Sequence, residues 1–172
     1  MMLKTHQLSD LFTLRPGSFH ATWELDPGDV PLVSCGWENN GVIGYYDIQP
    51  ADLHERALTV AFNGAPLTTH FHPYRFGAKG DVAVLEPVDP MPDSLLIYVA
   101  AVLNSKVWRY SYGRKCYREK LARVDVALPV IADGNTLDPT LANDLLENAF
   151  AQVKADAATS IGVLLGGRPS DG

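Results

Sequence analysis

Residues 81–104 read DVAVLEPVDPMPDSLLIYVAAVLN, and the change of rhythm inside this stretch decides the fold class. Asp81 to Leu85 is an apolar run of strand length closed by Pro87, and Pro90 and Pro92 then break the chain. Beyond them Leu96, Val99, Leu103 and Val107 recur at three- and four-residue spacing, which marks a helix with one buried face. Asp93 or Ser94 is placed to cap its first turn. Upstream, residues 30–35, 42–46, 57–62 and 68–72 read as further short strands. They are separated by Asn39-Asn40-Gly41 and Asn63-Gly64, residues that tolerate positive φ at low cost. Downstream, residues 124–129 alternate like a last strand. Asp138-Pro139 then opens a final helix with proline at its first position, and Leu141, Leu145, Ala149, Val153 and Ala157 line one side of it. Strands, helix, strand, helix is the order of an α+β domain with a mixed or antiparallel sheet and a C-terminal helix.

The chain has 172 residues and 18.8 kDa, the size of one domain, and 47% of its residues are apolar. Its longest apolar run, Leu95 to Leu103, is far short of the roughly 20 residues of a membrane span. Residues 1–10 carry one lysine and no apolar h-region, so they do not read as a secretory signal. Cys35 and Cys116 stand in no metal-like or redox-like spacing, which fits a reducing cytoplasm.

Net charge is −6, from 14 basic and 20 acidic residues. Between residues 106 and 123, however, lie Lys106, Arg109, Arg114, Lys115, Arg118, Lys120 and Arg123 against one acid, Glu119. Half of the positive charge sits in about a tenth of the chain, while the remainder, with 7 basic and 19 acidic residues, is strongly acidic. An acidic total argues against nucleic acid, whereas a concentrated basic segment argues for it.

Signatures of catalysis are missing. His70-Phe71-His72 follows Gly64 at the spacing that opens a cupin metal site, but that site needs a Glu where Phe76 or Gly77 stands. It also needs a later His, and His6, His20, His54, His70 and His72 are the only histidines. There is no Asn/Asp-Pro-Pro-aromatic tetrapeptide, no G-x-G-x-x-G and no G-x-S-x-G. Gly77-Ala78-Lys79-Gly80 lacks the Ser or Thr of a phosphate loop, and Asp81 and Glu86 lack the lysine of a metal-dependent nuclease. The expectation is a protein without its own active site, metal or cofactor. The alternative is a small cupin-like metal enzyme using His70 and His72. A third reading is an interaction module whose basic segment faces an acidic protein.

Binding chemistry is better represented. Trp108-Arg109-Tyr110-Ser111-Tyr112-Gly113-Arg114-Lys115 interleaves aromatics with cations. Lysine and arginine neutralise phosphates, and a guanidinium can take guanine O6 and N7 together. Trp108 and Tyr110 can equally be core residues at a helix end. Asn39, Asn40 and Asn63 carry side chains able to read adenine N6 and N7, although turn asparagines are more often structural.

Set in order, several of these blocks resemble a known family. They are Leu8-Ser9-Asp10-Leu11-Phe12, Pro31-Leu32-Val33-Ser34 with Asn39-Asn40-Gly41, Ala61-Phe62-Asn63-Gly64, and residues 69–76 and 80–87. Tyr112-Gly113-Arg114-Lys115, Leu121 and Val126-Ala127-Leu128-Pro129 complete the set. The ensemble, over roughly residues 5–131, resembles the target-recognition domain of restriction-modification specificity subunits, type I or type IIB-like, with a single recognition domain. The resemblance implies a cytoplasmic phage-defence module. It would read part of a double-stranded DNA target and direct an adenine methyltransferase subunit, often with an endonuclease. It divides the chain into a recognition domain at 1–135 and a C-terminal helix and tail at 136–172, the helix packing on its own domain or pairing two copies into a homodimer. The expected DNA contacts are Arg109, Arg114, Lys115 and Arg118 on phosphates or guanines, with Asn40, Asn63, Arg75 and Lys79 from strand-end loops. Four phosphate contacts would give log affinity a slope against log salt of about −3.6.

Overall fold

The computed structural model describes residues 2–18, 21–111 and 113–166, with side chains to residue 160. His20, Tyr112 and the 167–172 tail lie outside the described residues. The elements are β1 (Met2–Gln7), α1 (Leu8–Leu11), β2 (Phe12–Pro16), β3 (Pro27–Val33), β4 (Val42–Tyr46), β5 (Leu53–Ala61), β6 (Thr69–Ala78), β7 (Val82–Pro87), α2 (Asp93–Asn104), α3 (Arg118–Ala122), β8 (Asp125–Val130) and α4 (Pro139–Gly166). A six-stranded sheet runs β2-β7-β5-β6-β3-β4, and β1 pairs with β8 as a separate antiparallel ribbon. Every pairing in the large sheet is antiparallel except β3 with β6, which touch in parallel at Leu32–Gly77 and Val33–Ala78. The architecture is the expected mixed-sheet α+β domain.

The helix read from residues 96–107 is α2. Leu95, Leu96, Val99, Ala100 and Leu103 are buried, and Val107 packs against the same core beyond the helix end. Its partners are Leu58, Val60 and Leu85 from the sheet, Leu8 and Phe12 from the N-terminal segment, and Leu121, Val126 and Leu128 from the C-terminal part. Asp93 is the first helical residue rather than the cap, which is Pro92. The opposite face of the sheet holds a smaller cluster of Val33, Ala57, Ala61, Phe76, Ala78, Val82 and Val84.

Three differences from the sequence reading have physical causes. β1 and β2 were not expected: β1 alternates exposed and half-buried along one ribbon, and β2 buries only Phe12 and Leu14, so neither forms an apolar run. β6 continues through Pro73 to Ala78 because it bulges there: Glu55 faces Arg75 and Ala57 faces His72, so Pro73 and Tyr74 of β6 oppose the single residue Arg56, which sits at φ 47°. A bulge is where a strand accommodates the missing proline N–H. The side of α4 expected to be lined by Leu141 through Ala157 is half-buried only at Leu141, Leu145 and Leu146 and buried at Ala142, and residues 147–160 are all exposed. Asp138 caps the helix as expected, accepting from the backbone N–H of Thr140 at 3.0 Å and Leu141 at 3.1 Å.

Candidate nucleic-acid interface

The first residues of β6 organise one end of the sheet. β3 covers the outer edge of β6 only at Gly77 and Ala78, so Thr69 and Phe71 meet no strand there. Side chains take the strand's place. Asn104, the last residue of α2, accepts from the Thr69 backbone N–H at 2.9 Å and donates to its carbonyl at 2.9 Å. Asn40, in the β3–β4 turn, donates from Nδ2 to the Phe71 carbonyl at 3.0 Å. His70 Nε2 lies 3.0 Å from the Gly36 carbonyl. That turn needs Asn39, Asn40 and Gly41 at positive φ, and a Cβ at Gly41 would stand 2.9 Å from the Ser34 carbonyl oxygen. Meanwhile Phe62, at the β5–β6 turn, has its ring 6.4 Å from that of Tyr117. The β3–β4 turn, the β5–β6 turn and the segment after α2 therefore gather at the same end.

This arrangement sorts the residues expected to touch DNA. Asn40, Asn63, Arg109, Arg114, Lys115 and Arg118 belong to the gathered elements. Arg75 faces Glu55 in mid-sheet, and Lys79 follows the far end of β6, about 30 Å along the strand from Thr69. Asn40 has its amide nitrogen committed to the turn, and the Asn63 carboxamide oxygen is buried without a hydrogen-bond partner.

The basic segment folds as a 3₁₀ turn at Val107–Arg109, a loop, and the short helix α3. Tyr110 packs on the core, whereas Trp108 is 76% exposed. Among the described residues, cations sit over three rings: Arg109 over Trp108 at 5.1 Å, Lys115 over Tyr117 at 5.9 Å and Lys120 over Tyr110 at 5.4 Å. Next to them a cleft of ≈ 450 Å³ is lined by Lys106, Arg109, Tyr110, Glu119, Lys120, Arg123, Val124 and Asp125. Lys106 donates to the Asp125 carbonyl; partial burial and the neighbouring Arg109 pull its ammonium below the usual lysine range. Four cations against two carboxylates give this cleft a net positive charge, which attracts anions. Lys106, Lys120 and Arg123 were visible as charge in the sequence, but only the packing of α3 beside the α2 terminus makes them one site.

The histidine pair does not support a metal enzyme. His72 is wholly buried, with Nε2 2.9 Å from Thr59 Oγ1 and Nδ1 3.3 Å from both Asn40 Nδ2 and the Tyr74 hydroxyl. With Asn40 donating to Nδ1, the ring proton is on Nε2, and no lone pair is left for a metal. Burial, with a smaller contribution from His70, pushes its pKa down to about 3, so the ring is neutral. Among the described residues, no group of three or more His, Cys, Asp or Glu side chains is placed to hold a metal ion. No described helix is long and apolar enough to cross a membrane.

A mixed sheet with helices on one face, strand-end turns and a basic loop at one end, and a projecting C-terminal helix together form the fold of the target-recognition domain of restriction-modification specificity subunits. Among curated proteins, the chain is 24% identical over 129 residues to the type II restriction enzyme specificity subunit S.BcgI of Heyndrickxia coagulans, a match covering 74% of this chain and 38% of that protein. Among the solved structures that share the fold are three from type I restriction-modification systems. A chain of the type I restriction-modification system, from a study of complex assembly and conformational transition, superposes with TM-score 0.70 at 13% identity, covering 94% of this chain and 42% of that one. The specificity subunit HsdS of Thermoanaerobacter tengcongensis gives 0.64 at 12% identity, with 94% and 41% covered. The S subunit of M. genitalium gives 0.61 at 13% identity, with 92% and 42% covered. The chain thus spans about two-fifths of the length of these relatives. No protein-family model matches it.

Proposed function

We propose that this chain is a sequence-specific DNA-recognition module of a restriction-modification system, acting in the cytoplasm in phage defence. It binds a double-stranded target and brings an adenine methyltransferase subunit, and in cleaving systems an endonuclease, to that site. The module performs no chemistry of its own. The observation that most supports the reading is the gathering of the basic segment 106–123 with the two asparagine turns at one end of this fold. Phosphates would be held by Arg109, Arg114, Lys115 and Arg118, a guanidinium being free to exchange phosphate for a guanine edge. Asn63 would approach from the β5–β6 turn, and Asn40 would act by holding its turn in shape. Arg75 and Lys79 would meet only DNA that follows β6 away from this end.

Within the proposal, residues 1–135 read DNA and the segment from 136 onward joins subunits. α4 has 28 residues, about 42 Å, and leaves Phe150 and Val153 in solvent well beyond its contacts with the domain. Two copies pairing along this length would form a homodimer suited to an interrupted, two-fold target. The test of the main reading is selection from a random duplex pool by the purified protein, alone and with the methyltransferase subunit of the same system, followed by sequencing. Enrichment of a short motif is the expected result; an unenriched pool in both conditions would refute it.

A further inference from the structure

Trp108 has no role in the packing of the domain. Its neighbours Val107 and Tyr110 lie against the core, while its indole stands in solvent on a 3₁₀ turn. Trp23 and Trp37 are also exposed, at 83% and 58%, but they sit beside Glu24 and Glu38. Among the described residues, Trp108 alone of the three is set among cations. The Arg109 guanidinium lies over its ring, and the cleft of Lys106, Lys120 and Arg123 is adjacent. Tryptophan and arginine also occur at the centres of protein interfaces, but the neighbouring Lys106 and Lys120 count against a protein partner, because lysine is depleted there. An apolar plane rimmed by positive charge is a good match for the edge of a DNA duplex, where apolar deoxyribose rings alternate with phosphates.

We propose that Trp108 is the stacking residue of this interface. Its indole packs on a deoxyribose ring at the edge of the duplex, or wedges against a base step, while Arg109, Lys120 and Arg123 take the flanking phosphates. The proposal rests on the DNA-recognition reading above. Stacking and phosphate neutralisation differ in their response to salt, which separates Trp108 from its neighbours. A stacking contact contributes the same factor at every ionic strength, whereas each phosphate contact changes the slope of log affinity against log salt by about 0.9.

The experiment measures anisotropy of a fluorescein-labelled random-sequence duplex between about 50 and 200 mM salt. It compares the wild-type protein with Trp108→Ala, Trp108→Phe, Arg109→Ala and the double variant Lys120→Ala/Arg123→Ala. Trp108→Ala should weaken binding on the order of 10-fold across the whole range with an unchanged slope, and Trp108→Phe should recover most of that loss. The double variant should make the slope shallower by about 1.8. Thermal unfolding of Trp108→Ala should match the wild type, since the side chain is exposed. Wild-type affinity in Trp108→Ala would overturn the assignment. So would a slope lowered as far as in Arg109→Ala, because the indole would then serve only to prop the guanidinium. A wild-type protein that fails to bind the duplex even at the lowest salt would overturn the DNA reading itself, and this proposal with it.

Discussion

Replacing Asn104 by alanine removes both hydrogen bonds that tie the end of α2 to the start of β6. Thr69 is 2% exposed, and its outer N–H and C=O meet no strand, so truncation leaves two buried backbone groups unpaired. An orphaned buried donor or acceptor costs about 1–3 kcal/mol, which places the combined loss at about 3 kcal/mol. For a domain of this size each kcal/mol lowers Tm by about 2–4 °C, so Asn104→Ala should melt about 6–12 °C below the wild type. Urea denaturation followed by circular dichroism is the quantitative assay, with the midpoint shifted and the m-value unchanged. A loss below about 1 kcal/mol would refute the reasoning, because water or a backbone shift would then be satisfying Thr69. The residue matters beyond stability, since the basic segment leaves α2 directly after it.

Three further outcomes follow from the same geometry. His72 is neutral in the folded protein with a pKa of about 3, against 6.5 unfolded, so its contribution is complete above pH 6.5 and is lost as pH falls, by about 1.4 kcal/mol per unit. His72→Gln should flatten the fall in stability between pH 6.5 and pH 4 seen by urea titration, and an equally steep fall would show that the ring is not the source. Arg114→Ala with Lys115→Ala should weaken duplex binding severalfold or more and make the salt slope shallower by about 1.8, with melting unchanged; unaltered affinity would remove this loop from the interface. Phe150→Glu with Val153→Glu should turn a dimer into a monomer by light scattering without lowering Tm, whereas a dimer that survives must be held elsewhere.

Elements whose burial follows one rhythm could be read directly from the chain. The spacing of Leu96, Val99 and Leu103 after two prolines defines α2, Asp138-Pro139 starts α4, and residues 42–46 are β4. What escaped depends on partners distant in sequence. β1 is a strand because β8 lies beside it, and β6 passes Pro73 because it bulges there, two of its residues opposing Arg56. The interface divides in the same way. Its charge is a local run, visible by counting, but nothing local distinguishes exposed Trp108 from packed Tyr110. Nor does any pattern announce that Asn40 and Asn104 act as edge caps for β6, since that role exists only once the sheet leaves Thr69 and Phe71 unpaired. His70-Phe71-His72 shows the converse error: a spacing suggestive of metal binding, in which one histidine proves to be a neutral core residue with both ring nitrogens engaged.

The central claim is that this fold reads DNA sequence, and the most direct test is a ratio of affinities. The protein, with the methyltransferase subunit it is proposed to direct, is titrated at one fixed salt concentration against a duplex carrying the selected motif and against the same duplex scrambled. Specific recognition predicts binding at least about 10³-fold tighter to the motif. A ratio near one would mean that the basic face holds DNA by charge alone, and would contradict the account.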